Sequence, residues 1–203
     1  MTIKAVLWDL GGVLLRTHDA SGRRRWEARL GLAEGELDRL VFGCQASRAA
    51  TLGRARVDDI WTEVLTTLGL PESERETLSR DFFAGDRLDE RLLAFLRQLR
   101  SSHKTGLITN AWPNVRPWID GEWHLTDLFD VVVISAEVGL AKPDPRIYQL
   151  ALERLGVAPQ DAVFIDDASE NVEAAAALGL HGLRFVSPDQ VLNELQSMLR
   201  ENG

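Results

Sequence analysis

Ile3-Lys4-Ala5-Val6-Leu7-Trp8-Asp9-Leu10-Gly11-Gly12-Val13 is an apolar run that stops on a carboxylate and two glycines. Four consecutive apolar residues before Asp9 fit a strand buried on both faces, the kind found at the centre of a parallel sheet. Working outward, comparable runs occur from Thr105 to Thr109, Val131 to Ser135 and Ala162 to Ile165, with a weaker one from Gly182 to Val186. The first strand is expected over Ala5 to Leu10. Between these runs the apolar spacing becomes helical, over Asp89 to Arg100, Pro145 to Leu155, Glu170 to Leu178 and Pro188 to Leu199. Gly156 and Gly179 stand where helix C-termini are expected. Strands alternating with helices predict an α/β fold, a Rossmann-like parallel sheet covered on both sides.

Residues 17–85 break that rhythm. The stretch has no convincing strand but four amphipathic patterns: Arg23 to Leu30, Glu34 to Phe42, Val57 to Leu68 and Pro71 to Phe83. We read it as a helical module inserted after the first strand. The core is then expected to comprise residues 1–16 and 86–203, a size compatible with one substantial α/β domain.

The formal net charge of -8 argues against nucleic acid or an anionic membrane as a primary partner. No apolar run reaches membrane-spanning length. Cys44 is the single cysteine, so no intrachain disulfide is possible, and its neighbours suggest a small buried hydrophobe. With no signal-like opening before the first strand, a cytoplasmic protein is expected.

In an open parallel sheet, ligands gather at the carboxyl ends of the strands. The polar residues there are Asp9, the pair Thr109-Asn110, Lys142-Pro143-Asp144-Pro145 in a loop, and Asp166-Asp167 followed by Asn171. Each alone reads as a turn or a helix cap. Together, at the ends of several strands, they read as one site.

The ordered set W-D-L-G-G-V-L, L-I-T-N, A-K-P-D-P-R-I-Y and V-F-I-D-D-x-x-x-N resembles the haloacid dehalogenase superfamily, with a helical cap after strand one. The resemblance implies a HAD-like hydrolase in which Asp9 is the nucleophile, forming an aspartyl-phosphate or aspartyl-ester intermediate. It implies that Thr109 and the Asn110 amide hold the phosphoryl oxygens and that Lys142 neutralises developing charge. Mg²⁺ would be held by Asp9, the Gly11 carbonyl and Asp167, with Asp166 as ligand or close neighbour. The implied substrate is a small phosphorylated metabolite of the sugar-phosphate class.

One departure matters. Phosphatases of this superfamily usually carry a second aspartate two residues after the nucleophile, as general acid and base. Here that position is Gly11. Loss of such a group costs on the order of 10²–10⁴-fold in rate. Substrates with good leaving groups would suffer least, and a water, His18, Asp19 or a cap residue is a candidate proton source. Two alternatives follow: a 2-haloacid dehalogenase, whose halide needs no proton but which the Asp166-Asp167 pair disfavours, and a weakened, non-catalytic binding protein. Among cap residues, Arg48, Arg54 and Arg56 are candidates to meet a polar substrate, and Trp112 to stack on it near the cleft. The Trp- and Pro-rich stretch Pro113 to Leu125 reads as an insertion-like loop that packs on a second subunit or helps shape the site.

Overall fold

The computed structural model describes residues 2–201, the side chain of Glu201 excepted. Its core is a five-stranded, all-parallel sheet in the order β5-β4-β1-β6-β7. The strands are β1 (Ala5–Trp8), β4 (Lys104–Thr109), β5 (Val131–Ile134), β6 (Ala162–Asp166) and β7 (His181–Arg184). β1 lies at the centre, with Trp8 in register with both Leu107 and Ile165. Successive side chains of a strand point to opposite faces. Val6 and Trp8 thus join α6 (Glu90–Leu99) and α11 (Pro188–Glu201) in one apolar layer, while Ala5 and Leu7 pack with α9 (Pro145–Leu155) and α10 (Ser169–Ala177) in the other.

Short polar signals set the ends of these helices. Asp89 caps α6 by accepting from the amides of Arg91 and Leu92, at 3.0 and 3.1 Å. Asp144 caps α9 through the Arg146 amide at 3.0 Å, Pro145 opens that helix, and Gly156 closes it in the left-handed conformation.

Helices α1 (Ser21–Leu30), α2 (Glu36–Gly43), α3 (Gln45–Thr51), α4 (Val57–Leu68) and α5 (Arg75–Phe83) form the inserted module, with an apolar cluster of their own around Trp26, Leu37, Ile60, Trp61 and Phe82. Cys44 is buried there and caps α3, accepting from the Ser47 amide. The module joins the core through a two-stranded antiparallel ribbon, β2 (Leu15–Thr17) against β3 (Asp86–Leu88). That ribbon is absent from the sequence reading, because two three-residue strands far apart in the chain carry no periodicity. Helix α3 is also unforeseen. The Pro113 to Leu125 stretch is helical rather than an open loop: α7 (Val115–Pro117) runs into a π-helical turn at Trp118–Glu122. The short α8 (Ser135–Val138) follows β5 directly. Among the described residues no helix is long and apolar enough to cross a membrane.

Candidate active site

Every parallel strand points its carboxyl end the same way, so the residues after β1, β4 and β6 meet at one edge. The Asp9 amide donates to the Ile165 carbonyl at 2.9 Å, which seats Asp9 beside Asp166. Lys142 arrives from the loop before α9 and bridges them: its Nζ lies 2.6 Å from Asp9 Oδ1 and 2.7 Å from Asp166 Oδ2, all three side chains being almost wholly buried. Asp9 Oδ1 also accepts from the Leu10 amide at 2.7 Å. Oδ1 is thereby pinned, while Oδ2 accepts no hydrogen bond from a described residue.

Asp166 is saturated. Oδ1 accepts from the Ala168 amide at 2.9 Å and the Asn171 side-chain amide at 3.1 Å, and Oδ2 accepts from Asn171 at 3.0 Å besides Lys142. Asn171 is held in turn by Tyr148, whose hydroxyl donates to its backbone carbonyl at 3.0 Å. With both oxygens engaged, Asp166 orients Lys142 and supports the cluster. Asn110 has a structural part that the motif does not suggest. Its side chain clasps the Lys142 backbone, donating to the carbonyl at 2.9 Å and accepting from the amide at 2.8 Å. Ser135, at the start of α8, likewise fixes the next residue, accepting from the Ala111 amide at 3.0 Å. Thr109 ends β4, buried, its hydroxyl engaged with no described residue.

Burial pushes the Asp9 carboxyl up to about 7, against the pull of Lys142 and with added repulsion from Asp166. Asp167 is also raised, by burial first and then by Asp166. Carboxylates pressed together in this way favour a cation. Asp9, Asp166 and Asp167 each offer an oxygen, and these atoms lie within 4.8 Å of one another. Two further observations fit a hard, oxygen-loving ion such as Mg²⁺. Asn171 Oδ1 is buried beside the cluster without a hydrogen-bond partner. Gly12, at φ +82°, leaves the room Asp167 occupies: a Cβ there would lie 2.4 Å from Asp167 Oδ2.

The first motif's departure is visible as space. A Cβ built at Gly11 would meet nothing within 4 Å. The candidate replacements for the missing acid follow directly after β2: His18 and Asp19 are exposed, and Asp19 accepts from the Ser21 amide at 2.8 Å.

Trp112 is brought to the junction of the inserted module and the core but is buried there, 9% exposed. Its indole N–H donates to Ser47 of α3 at 3.1 Å, and its ring packs on Phe42 and Phe83 at centroid distances of 5.7 and 6.0 Å. It ties the inserted module to the core and offers little face for a ligand to stack on. Beside it a cavity of about 610 Å³ runs between residues 53–59 and Pro113-Asn114. Arg54 and Arg56 line it, whereas Arg48 is turned to the Gly43 carbonyl. Asp9, Lys142, Asp166 and Asp167 do not line that cavity.

A family model described as haloacid dehalogenase-like hydrolase matches residues 3–179. A sesquiterpene phosphatase, astK of Aspergillus oryzae, is 28% identical over 98% of this chain and 97% of its own length. A D-ribitol-5-phosphate phosphatase of Bacteroides thetaiotaomicron is 27% identical over 87% of this chain and 89% of its own. The mouse acyl-CoA dehydrogenase family member 10 is 46% identical over 71 residues, which is 35% of this chain and only 7% of that far longer protein. Among solved structures, a HAD-family enzyme of Bacteroides thetaiotaomicron in complex with magnesium and inorganic phosphate superposes with a TM-score of 0.73 at 22% identity, over 92% of this chain and 96% of that one.

Proposed function

The chain belongs to the haloacid dehalogenase-like hydrolase family, and from that premise we propose that it is a Mg²⁺-dependent phosphatase working through an aspartyl-phosphate on Asp9. One observation carries this reading. Lys142 pins one oxygen of a buried Asp9 and leaves the other unengaged, at the edge of a carboxylate cluster suited to a cation.

In the proposed reaction Asp9 Oδ2 attacks phosphorus, and the bond to the ester oxygen breaks with its electron pair leaving on that oxygen. Gly11 has no side chain to protonate it, so the proton comes from solvent. Water then attacks the aspartyl-phosphate, loses a proton to solvent and releases phosphate, restoring Asp9. Lys142 Nζ, lodged between Asp9 and Asp166, offsets negative charge as it builds, and the Thr109 hydroxyl and Asn110 amide are assigned to the phosphoryl oxygens. Asp9, Asp167, the Gly11 carbonyl and, more indirectly, Asp166 would hold Mg²⁺, which neutralises charge on the carboxylates and the phosphate.

The 17–85 module is assigned as the cap that closes over this edge. The substrate is a small phosphorylated metabolite. The ribitol-phosphate relative supports a carbohydrate class for its organic part, as the resemblance implies, and the sesquiterpene phosphatase supports a hydrocarbon class. The dehalogenase alternative loses ground to the Asp166-Asp167 pair, which belongs with a metal. A single, buried cysteine supports a cytoplasmic setting.

Phosphate release from sugar phosphates, alkyl phosphates and p-nitrophenyl phosphate, with Mg²⁺ and with chelator, tests the reading. Turnover that needs Mg²⁺ and disappears in Asp9→Asn is expected. Turnover that survives either change would overturn it.

A further inference from the structure

Phe42 is the next-to-last residue of α2 and Phe83 the last of α5, and both are unusually open for phenylalanine, 50% and 38% exposed. They are not scattered surface residues. Phe42 packs on Phe82 and on Trp112, at centroid distances of 5.5 and 5.7 Å, and Phe83 packs on Phe82 and Trp112 at 4.9 and 6.0 Å. The three rings form a ledge, with Trp112 as its buried floor and two phenylalanines exposed at its rim. A grouped, exposed aromatic surface on a folded chain marks a place where something apolar binds.

The ledge stands close to the phosphate-binding end of β4. Trp112 is two residues beyond Asn110, and two residues span at most about 7 Å between Cα atoms. Asn110 clasps the backbone of Lys142, which contacts Asp9. The rings packed on Trp112 are thus joined to the proposed phosphate site through two residues of chain.

The ledge's polar neighbours are engaged. The Trp112 N–H donates to Ser47 Oγ, which itself donates to the Phe42 carbonyl at 3.1 Å. Arg48 donates to the Gly43 carbonyl, and Glu63 accepts from the amides of Gln45 and Ala46 at 3.0 and 2.7 Å. The Ser47 hydroxyl and the Glu63 carboxylate are thus already engaged, and a polyol set against the rings would lose the hydrogen bonds it makes with water.

Resting on the phosphatase reading, we propose that the exposed rings of Phe42 and Phe83, backed by Trp112, receive the hydrocarbon part of the substrate, so that the preferred substrates are phosphate esters of apolar alcohols rather than of polyols.

Non-hydrolysable methyl-, butyl- and octylphosphonate, titrated calorimetrically against the Mg²⁺-loaded wild type, test this apart from turnover. Binding should tighten with chain length, by up to about fourfold per buried methylene. Phe42→Ser and Phe83→Ser should flatten that dependence while leaving the methylphosphonate Kd within about twofold, and Phe42→Leu and Phe83→Leu should retain most of it, showing that the serine variants act through lost apolar contact. A wild type that binds methylphosphonate with no gain from longer chains overturns the ledge and leaves the phosphate site standing. A chain-length dependence that both serine variants keep also overturns it. If no phosphonate binds and no phosphate is released from any ester, the phosphatase reading falls, and the ledge's role with it.

Discussion

Gly11→Asp should accelerate this enzyme, an unusual expectation for a substitution beside a catalytic residue. The backbone at Gly11 is outside the left-handed region, the residue is exposed, and a Cβ there meets nothing within 4 Å. The new side chain therefore enters without strain, and stability should stay within about 0.5 kcal/mol of wild type. A carboxyl placed there joins three others, and like-charge repulsion holds it protonated to higher pH, the state a general acid requires. A positioned acid is worth on the order of 10²–10⁴-fold, or about 3–5 kcal/mol of barrier. The gain should fall unevenly. Alkoxides leave poorly without a proton, so alkyl phosphates should approach the full factor in kcat/KM; p-nitrophenolate leaves readily, so its ester should gain little. The assay is kcat/KM for wild type and variant across esters graded by leaving-group basicity, with thermal melting as a check on folding. Equal gain on every ester, or none on alkyl phosphates, would refute the idea that the empty place at Gly11 limits the rate.

Three further outcomes follow from the same geometry. Gly12→Ala should force a side chain into Asp167 and into a left-handed backbone that costs about 1–2 kcal/mol; a Mg²⁺ titration should show affinity weakened roughly 10-fold or more, and unchanged affinity would deny Asp167 its assigned role. Asn171→Ala strips Asp166 of both bonds from the Asn171 side-chain amide, and urea unfolding should register a loss of about 1–3 kcal/mol. Asp144→Ala should lower the urea midpoint in a pH-dependent way. The Arg146 side chain, and then its amide, hold the Asp144 carboxyl at about 2 instead of its ordinary 3.8. A depressed carboxylate stabilises the fold fully above its unfolded value and loses that contribution as pH falls through its folded one. The gap between variant and wild type should thus be constant above pH 3.8 and close toward pH 2; a gap that widens on acidification would contradict the sign.

The sheet was legible because burial on both faces leaves an unbroken apolar signature, as in Val131–Ile134, and because α9 carries a proline, a capping aspartate and a closing glycine at its ends. The meeting of Asp9, Lys142, Asp166 and Asp167 was legible through the shared direction of parallel strands. The sequence said less about support. The clasp of Asn110 on Lys142 and the saturation of Asp166 by Asn171 depend on loop geometry that no local pattern encodes. Trp112 was expected as a ligand platform beside the site. Its place in the cap's apolar cluster follows from contacts with α2, α3 and α5, elements far away in sequence. The exposure of Phe42 and Phe83 is equally hidden, since their helical spacing reads as ordinary core.

The β2–β3 ribbon has a consequence for how such a chain diversifies. The polypeptide leaves the sheet domain and returns to it through two strands paired side by side, Leu15 with Leu88 and Thr17 with Asp86. The intervening 21–83 segment is therefore a detour with a common entrance and exit, and the five-stranded sheet closes without it. Insertions, deletions or wholesale exchange within that detour leave the register of β1, β4 and β6 untouched. Selection can thus remodel that detour while the strand ends that carry Asp9, Thr109 and Asp166 are inherited unchanged.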